Sequence, residues 1–242
     1  MSLAAPAFNE EEAISDVVFG WFDYLRDAGL ECFEVVICND GSSDKTGLIL
    51  EQLAEELPEL RVVSLSHNRG AAAALTAAIS HTKLEWVLLL DTDGQFPIEN
   101  AARMARAVSG QGARAVIGVR RGKKDSRFAR FGSWSSGALC NVFLGTSYRD
   151  FNCALKLVEG PLVRSLSLEA RGLNYSTEVT AKLSERGIPM SEVVVDHLPR
   201  HGGRSSLRVV RGSFHRMLFV LYVGFRQALL RLGVLQSVGA ER

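Results

Sequence analysis

The 242-residue chain has no apolar run approaching the ~18 residues that a membrane span requires. It has no G-x-G-x-x-G and no G-x-x-x-x-G-K-[ST], which argues against a dinucleotide oxidoreductase and against a P-loop NTPase. Its four cysteines (Cys32, Cys38, Cys140, Cys153) include no pair two residues apart. That excludes a zinc ribbon or redox pair by spacing and suggests free thiols in a reducing compartment. Charge bias is absent as well: 28 Lys and Arg against 27 Asp and Glu give a net charge of +1, so nothing points to nucleic acid. Met1–Pro6 carries no secretory leader pattern, and no internal repeat or low-complexity tract is present. One absence is local. From His197 to Ala240 there is no Asp or Glu, while seven arginines occur, and such a stretch suits an anionic partner.

Composition is that of an ordinary globular protein, with 47% hydrophobic and 23% charged residues. Strand-like runs alternate with helix-like segments through the first half. Leu3–Phe8, Phe33–Cys38, Arg61–Leu65, Trp86–Leu90 and Ala115–Val119 read as strands. Glu10–Ala28, Thr46–Leu57, Ala71–Ile79 and Pro97–Val108 read as helices, the last with proline in its first turn. This alternation predicts βαβ units and a mostly parallel sheet of α/β class. In the second half, Arg127–Leu144 predicts one or two helices, Cys153–Val158 a strand, Tyr175–Arg186 a helix and Glu192–Asp196 an extended segment. Residues 1–206 are expected to form one domain. Residues 207–242 are expected to be a basic, apolar helical extension. Within it, Met217–Phe225 is nine residues between two arginines, about 14 Å of helix, too short to cross a bilayer but suited to the interface of anionic lipids.

An open parallel sheet binds ligands beyond the carboxyl ends of its strands. Polar clusters occupy each of those positions: Asn9-Glu10-Glu11, Asp40–Asp44, Asn68-Arg69-Gly70, Asp91-Thr92-Asp93 and Arg120-Arg121. Acidic loops repel a bare pyrophosphate, and a bridging Mg²⁺ or Mn²⁺ removes that conflict. Side chains two apart on an extended strand share a face, so Asp91 and Asp93 can share one cation. Asp44 and Ser43 read as a turn and helix cap, and Gly70 as a turn former. His197 and His201 are separated by Pro199 and read as surface or loop histidines, not a helical metal pair. Glu178 is either a surface acid or a sugar contact, and Arg103 and Arg106 read as a solvated helix face.

The ordered set Pro6–Glu11, Asn39–Asp44, Asn68–Leu75, Asp91–Pro97, Asp150–Leu157 and Arg200–Ser205 resembles family 2 glycosyltransferases of GT-A fold, in their dolichol-phosphate mannose synthase-like branch. The resemblance covers roughly residues 4 to 207. It implies an inverting transfer of a hexose-type sugar from a UDP- or GDP-sugar to a polyprenyl phosphate, with Mg²⁺ or Mn²⁺. By resemblance, Pro6, Phe8 and Asp40 line the nucleoside pocket, and Glu10 lies near the ribose or diphosphate. Asp91 and Asp93 carry the metal with Gln95 beside them, and Arg200 and Ser205 close on the diphosphate. Arg120, Arg130 and Ser133 or Ser135 meet the acceptor phosphate, so the catalytic set is Asp93, Arg120 and Arg130.

Three departures accompany the match. Phe8 stands where tyrosine is usual, Asn39 stands where a first aspartate is common, and members of the branch often continue into transmembrane helices. The expected location is peripheral, at the cytoplasmic face of a membrane. Two rival readings are a related enzyme acting on a polysaccharide or soluble acceptor and a nucleotide-sugar-binding module without turnover. The basic tail and the lack of an obvious acidic base in mid-chain disfavour the first; the intact Asp91/Asp93 pair disfavours the second.

Overall fold

A computed structural model describes residues 1–30, 32–121, 127–168, 175–198 and 209–232; of residues 111, 127–131, 209–217 and 231 only the backbone is described. Seven strands form one sheet: β1 (Ser2–Ala7), β2 (Glu34–Asn39), β3 (Leu60–Ser64), β4 (Trp86–Leu89), β5 (Ala115–Arg121), β6 (Lys156–Glu159) and β7 (Met190–Asp196). Their spatial order is β3-β2-β1-β4-β6-β5-β7. All neighbours pair in parallel except β6, which runs antiparallel to both β4 and β5. Every residue of β1 is buried, as expected of a central strand covered on both faces.

Helices cover the two faces. On one side lie α1 (Ile14–Asp27), α2 (Thr46–Glu56) and α4 (Asn100–Gln111). Ile14, Val18, Phe22 and Leu25 recur at helical spacing and pack against Leu3, Ala5, Val35 and Ile37 of the sheet. On the other side lie α3 (Ala71–Ser80), α6 (Gly160–Arg164) and α7 (Tyr175–Glu185), against Ala4, Val36, Val87 and Leu89. A third cluster joins α5 (Arg127–Leu144), α7 and α8 (Val209–Arg231) through Cys140, Phe151, Ala181, Val220 and Val223. Each fully buried side chain of this size contributes about 1.5–3 kcal/mol.

Arg127–Leu144, expected as one or two helices, is one helix. Several other expectations are revised. The helix expected from Pro97 begins at Asn100, because the Pro97 and Ile98 carbonyls first close a turn with the N–H groups of Asn100 and Ala101. The short α6 was not foreseen. The strand expected from Cys153 starts at Lys156. The boundary expected at residue 206 lies outside the described residues, but α8 is docked on the domain: Val220 and Val223 are buried, and Arg226 pairs with Glu185 at 3.4 Å. No described helix is long and apolar enough to cross a membrane.

Candidate active site

The exits of β1, β2, β3 and β4 are tied into one rim. Asp40, at the end of β2, accepts the backbone N–H of Arg69 at 2.7 Å and of Gly70 at 2.8 Å. Those two donors immediately precede α3, so a buried carboxylate caps the positive end of a helix. Gly41 must be glycine: φ is +62° and a Cβ would sit 2.5 Å from the His67 carbonyl carbon. Asn9, at φ 54°, receives the Ser43 N–H on its side-chain oxygen and donates its own N–H to Ser42 Oγ. The Glu10 N–H donates to Thr46 Oγ1, and Glu10 is buried. The Thr92 hydroxyl donates to the Pro6 carbonyl at 3.0 Å, fixing the β4 exit to β1. Phe8 is exposed, at 37%. Asp44 behaves as a cap: its carboxylate accepts the Thr46 N–H at 2.9 Å and the Glu11 N–H at 3.3 Å. Partial burial opposes its ionisation, but those hydrogen bonds hold its carboxyl below the ordinary range.

Asp91 and Asp93 lie past the end of β4, and the chain bends at Thr92 and Asp93, so the two do not sit on one extended strand as expected. Alternation along β4 sends Val87 and Leu89 to the α7 side, and Asp91 continues that side. There the Tyr175 hydroxyl donates to Asp91 Oδ1. The Tyr175 phenol is held well above its ordinary pKa by burial first, then by Asp91, with Asp93 adding to it. Asp93 Oδ1 accepts the Gln95 N–H, and Asp93 is 8% exposed. Gln95 in turn clasps Leu198 through both its carbonyl, at 2.8 Å, and its side-chain amide, at 3.4 Å. His197, expected at the surface, is buried edge-on against Phe96 at 5.0 Å. The residues that lead toward Arg200 are thus anchored beside Asp93. Arg200, Ser205 and His201 lie outside the described residues.

Among the described residues no group of three His, Cys, Asp or Glu forms a metal cage. A pair of carboxylates nonetheless fits Mg²⁺ or Mn²⁺, which are commonly held by one or two carboxylates plus substrate phosphates and water. The donor set matches a cation that arrives with a diphosphate.

On the far side of β6 the picture differs from the expectation. Arg120 is not an open cation. Its Nε and Nη2 donate to Asp150 at 2.8 and 2.9 Å, and the Arg120 N–H adds a third bond at 3.2 Å. The planar guanidinium fork that would match a phosphate is engaged by a carboxylate that is 3% exposed. Arg130 falls on α5, with its side chain outside the described residues. Ser135 donates to the Gly132 carbonyl, while the Ser133 carbonyl accepts from Asn152 and Ser136. A cleft of about 140 Å³ opens here, bordered by Ser133, Trp134, Gly137, Asn141 and Asp150.

Two buried groups were missed by the sequence reading, and a third, Glu178, was expected as either a surface acid or a sugar contact. Tyr175 is one. Lys156 is another: fully buried, it donates to the Cys153 carbonyl, and burial lowers its amine to about 8 against the pull of Cys153 and Asp150. Glu178 is not a surface acid: it is 2% exposed and pairs with Lys182 at 2.8 Å. An i,i+4 Glu-Lys pair was the available signal. Arg103 likewise is not merely solvated, since it pairs with Asp196 at 2.6 Å.

This architecture recurs in solved structures. Glucosyl-3-phosphoglycerate synthase from Mycobacterium tuberculosis, crystallised with UDP, superposes with a TM-score of 0.72 at 20% identity, over 93% of this chain and 79% of that one. Mannosyl-3-phosphoglycerate synthase from Rubrobacter xylanophilus gives 0.73 at 17% identity, over 99% and 77%. The fold is GT-A. The sequence model described as Glycosyl transferase family 2 matches residues 2–163, and the chain belongs to that family. Similar curated proteins include undecaprenyl-phosphate 4-deoxy-4-formamido-L-arabinose transferase from Edwardsiella ictaluri, 28% identical over 213 residues, 87% of this chain and 64% of that protein. The protein of that name from Salmonella typhimurium is 25% identical over 224 residues, 92% and 65% respectively. The chain thus spans just under two thirds of the length of these relatives.

Proposed function

We propose that this protein is an inverting glycosyltransferase that moves a hexose-type sugar from a UDP- or GDP-sugar to a polyprenyl phosphate at the cytoplasmic face of a membrane, in glycan assembly for the cell envelope. The observation that carries the reading is the Asp91/Asp93 pair at the β4 exit, beside a rim closed by Asp40, Glu10 and Pro6. In this reading Pro6, Phe8 and Asp40 receive the nucleoside, and Glu10 lies near the ribose or diphosphate. Asp91, Asp93 and Gln95 hold the cation and diphosphate, and Arg200 and Ser205 close over them. The cation, when bound, screens the charge that develops as the nucleoside diphosphate leaves.

The acceptor needs no strong general base. A polyprenyl phosphate is already ionised at neutral pH, so its oxygen can attack the anomeric carbon directly once positioned. Attack opposite the leaving group inverts an α-linked donor. Arg130 is assigned to the phosphate directly. Arg120 and Ser133 border the acceptor side, with Asp150 aiming Arg120. The names of the curated relatives, which specify undecaprenyl phosphate, support this acceptor class.

A membrane-facing surface is consistent with α8. Leu218, Leu221, Tyr222, Phe225 and Leu232 recur at helical spacing and are exposed, and Trp134 of α5 is 65% exposed. Such a stripe, with the arginines of the same segment, suits the interface of anionic lipids.

The test is transfer of radiolabelled sugar from UDP- and GDP-sugars to undecaprenyl phosphate, to neutral polyprenol and to a soluble glycan, with Mn²⁺ and with EDTA. Lipid-phosphate product that requires Mn²⁺ and vanishes in Asp93→Ala supports the assignment. Efficient transfer to neutral polyprenol or to the glycan, or full activity in excess EDTA, overturns it.

A further inference from the structure

We propose that Tyr175 is a positioning residue for the cation pair, fixing the Asp91 carboxylate through its hydroxyl. The inference rests on the reading of Asp91 and Asp93 as cation ligands and extends it to a residue on a different element.

Tyr175 is the first residue of α7 and is 2% exposed. Its ring packs in the cluster with Val87, Leu89 and Val179, and its hydroxyl donates to Asp91 Oδ1. A buried phenol needs an acceptor, and a backbone carbonyl would serve as well for stability alone. This one donates to a carboxylate assigned to a metal, at a residue past the end of β4 and outside the sheet ladder. The Tyr175 hydroxyl reaches that carboxylate directly and is placed to set its plane.

The first turns of α7 are themselves fixed to the turn that precedes β6. Ser176 Oγ donates to the Asn152 carbonyl at 3.2 Å, Thr177 Oγ1 to Asn152 Oδ1 at 2.6 Å, and Thr180 Oγ1 to the Phe151 carbonyl at 3.1 Å. That turn begins with Asp150, the partner of Arg120. Tyr175 therefore references the Asp91 carboxylate to the acceptor-side turn through one rigid helix end. Outer-shell donors of this kind orient a ligand before the metal arrives, and their loss costs about 10–100-fold in metal affinity.

Tyr175→Phe keeps the ring and removes the hydroxyl. The full-length chain is titrated with Mn²⁺ at a fixed excess of UDP or GDP, free Mn²⁺ being read by its paramagnetic resonance signal. The expected result is Mn²⁺ affinity weakened by about 10-fold or more, with metal-free nucleotide affinity unchanged and activity restored by excess Mn²⁺. Ser184→Ala, which removes a hydroxyl that donates to the Thr180 carbonyl near the far end of α7, should leave Mn²⁺ affinity near that of the parent. If Tyr175→Phe binds Mn²⁺ within about twofold of the parent, or if Ser184→Ala loses as much, the proposal fails while the cation reading stands. A parent protein that takes up no Mn²⁺ with either nucleotide overturns both.

Discussion

Removing the Arg120 guanidinium should destabilise the protein before it says anything about catalysis. Arg120 and Asp150 are 14% and 3% exposed as side chains and share two guanidinium hydrogen bonds. Deleting one partner of a buried pair strands the other charge and costs about 3–5 kcal/mol. Two features pull the figure toward the lower end. The Arg120 N–H still donates to Asp150 Oδ2, and the Lys156 ammonium lies close enough for Asp150 to act on it. Arg120→Ala should therefore cost about 3 kcal/mol. For a chain of this size each kcal/mol is about 2–4 °C of melting temperature, so a fall of about 6–12 °C is expected.

The double variant Arg120→Met/Asp150→Asn removes the charge from both ends and should be more stable than the sum of the single variants predicts, by about 2 kcal/mol. Urea melts of the parent, Arg120→Met, Asp150→Asn and the double variant close the cycle. Additivity within about 0.5 kcal/mol would refute the buried-pair reasoning. Calorimetry on the same proteins then separates structure from function: nucleoside diphosphate binding should stay within a few-fold of the parent in the double variant, while transfer to lipid phosphate is lost. Normal transfer by the double variant would remove Arg120 from the acceptor side.

Asp40→Ala exposes two backbone donors at the start of α3 and should cost about 2–4 kcal/mol in urea melts, with nucleoside diphosphate affinity falling tens-fold or more by calorimetry. An unchanged melt refutes the clamp, and unchanged affinity refutes the nucleoside reading. Burial pushes the Cys38 and Cys140 thiols up to about 12 and Cys153 to about 11, while Cys32 is exposed. Maleimide labelling at pH 7 should add one adduct to the native chain and four in denaturant; two or more native adducts contradict the packing. Burial lowers the Lys156 amine from 10.5 to about 8, so between pH 8 and 10.5 the unfolded chain binds the extra proton and this group's contribution to stability rises with pH. Relative to Lys156→Met, the parent should gain melting temperature from pH 8 to 10, and parallel curves would count against a buried amine.

The parallel part of the sheet was legible because its rule is simple. Apolar runs of strand length alternate with amphipathic helices, and polar residues cluster directly after each run. That rule located Asp40 and Asp91-Thr92-Asp93 at strand exits, where the structure has them. It fails at β6. An antiparallel strand presents its beginning, not its end, at the carboxyl rim, so Asp150 and Asn152 reach the site ahead of their strand. The residues just past each strand end, taken alone, leave Arg120 without its partner. Tyr175 was hidden for another reason: an aromatic residue opening an amphipathic helix reads as core, and most of Tyr175 is core. Only the hydroxyl is functional in the present reading, and pattern carries no information about one atom. His197, read as a surface or loop histidine, lies in a loop but is buried, with its ring edge-on to Phe96 about a hundred positions away in sequence.

The distribution of partners also decides where on this rim a cation would settle. Asp40 is answered by two N–H groups at a helix terminus, and Asp150 by a guanidinium. The Tyr175 phenol donates to Asp91 and the Gln95 backbone N–H to Asp93, both neutral donors. Lys156 lies near Asp91, with its ammonium donating to the Cys153 carbonyl. Two neighbouring carboxylates repel each other, and a divalent cation relieves that repulsion. Neutralising one of them should therefore hurt metal binding more than its share of ligands suggests. Asp93→Asn keeps the side-chain shape and an acceptor for the Gln95 N–H, so the fold should survive with an unchanged or slightly raised melting temperature. Mn²⁺-dependent nucleoside diphosphate binding should nonetheless fall at least ~30-fold, about 2 kcal/mol. A variant that melts several degrees lower, or that retains Mn²⁺-dependent binding, would place the excess negative charge elsewhere on the rim.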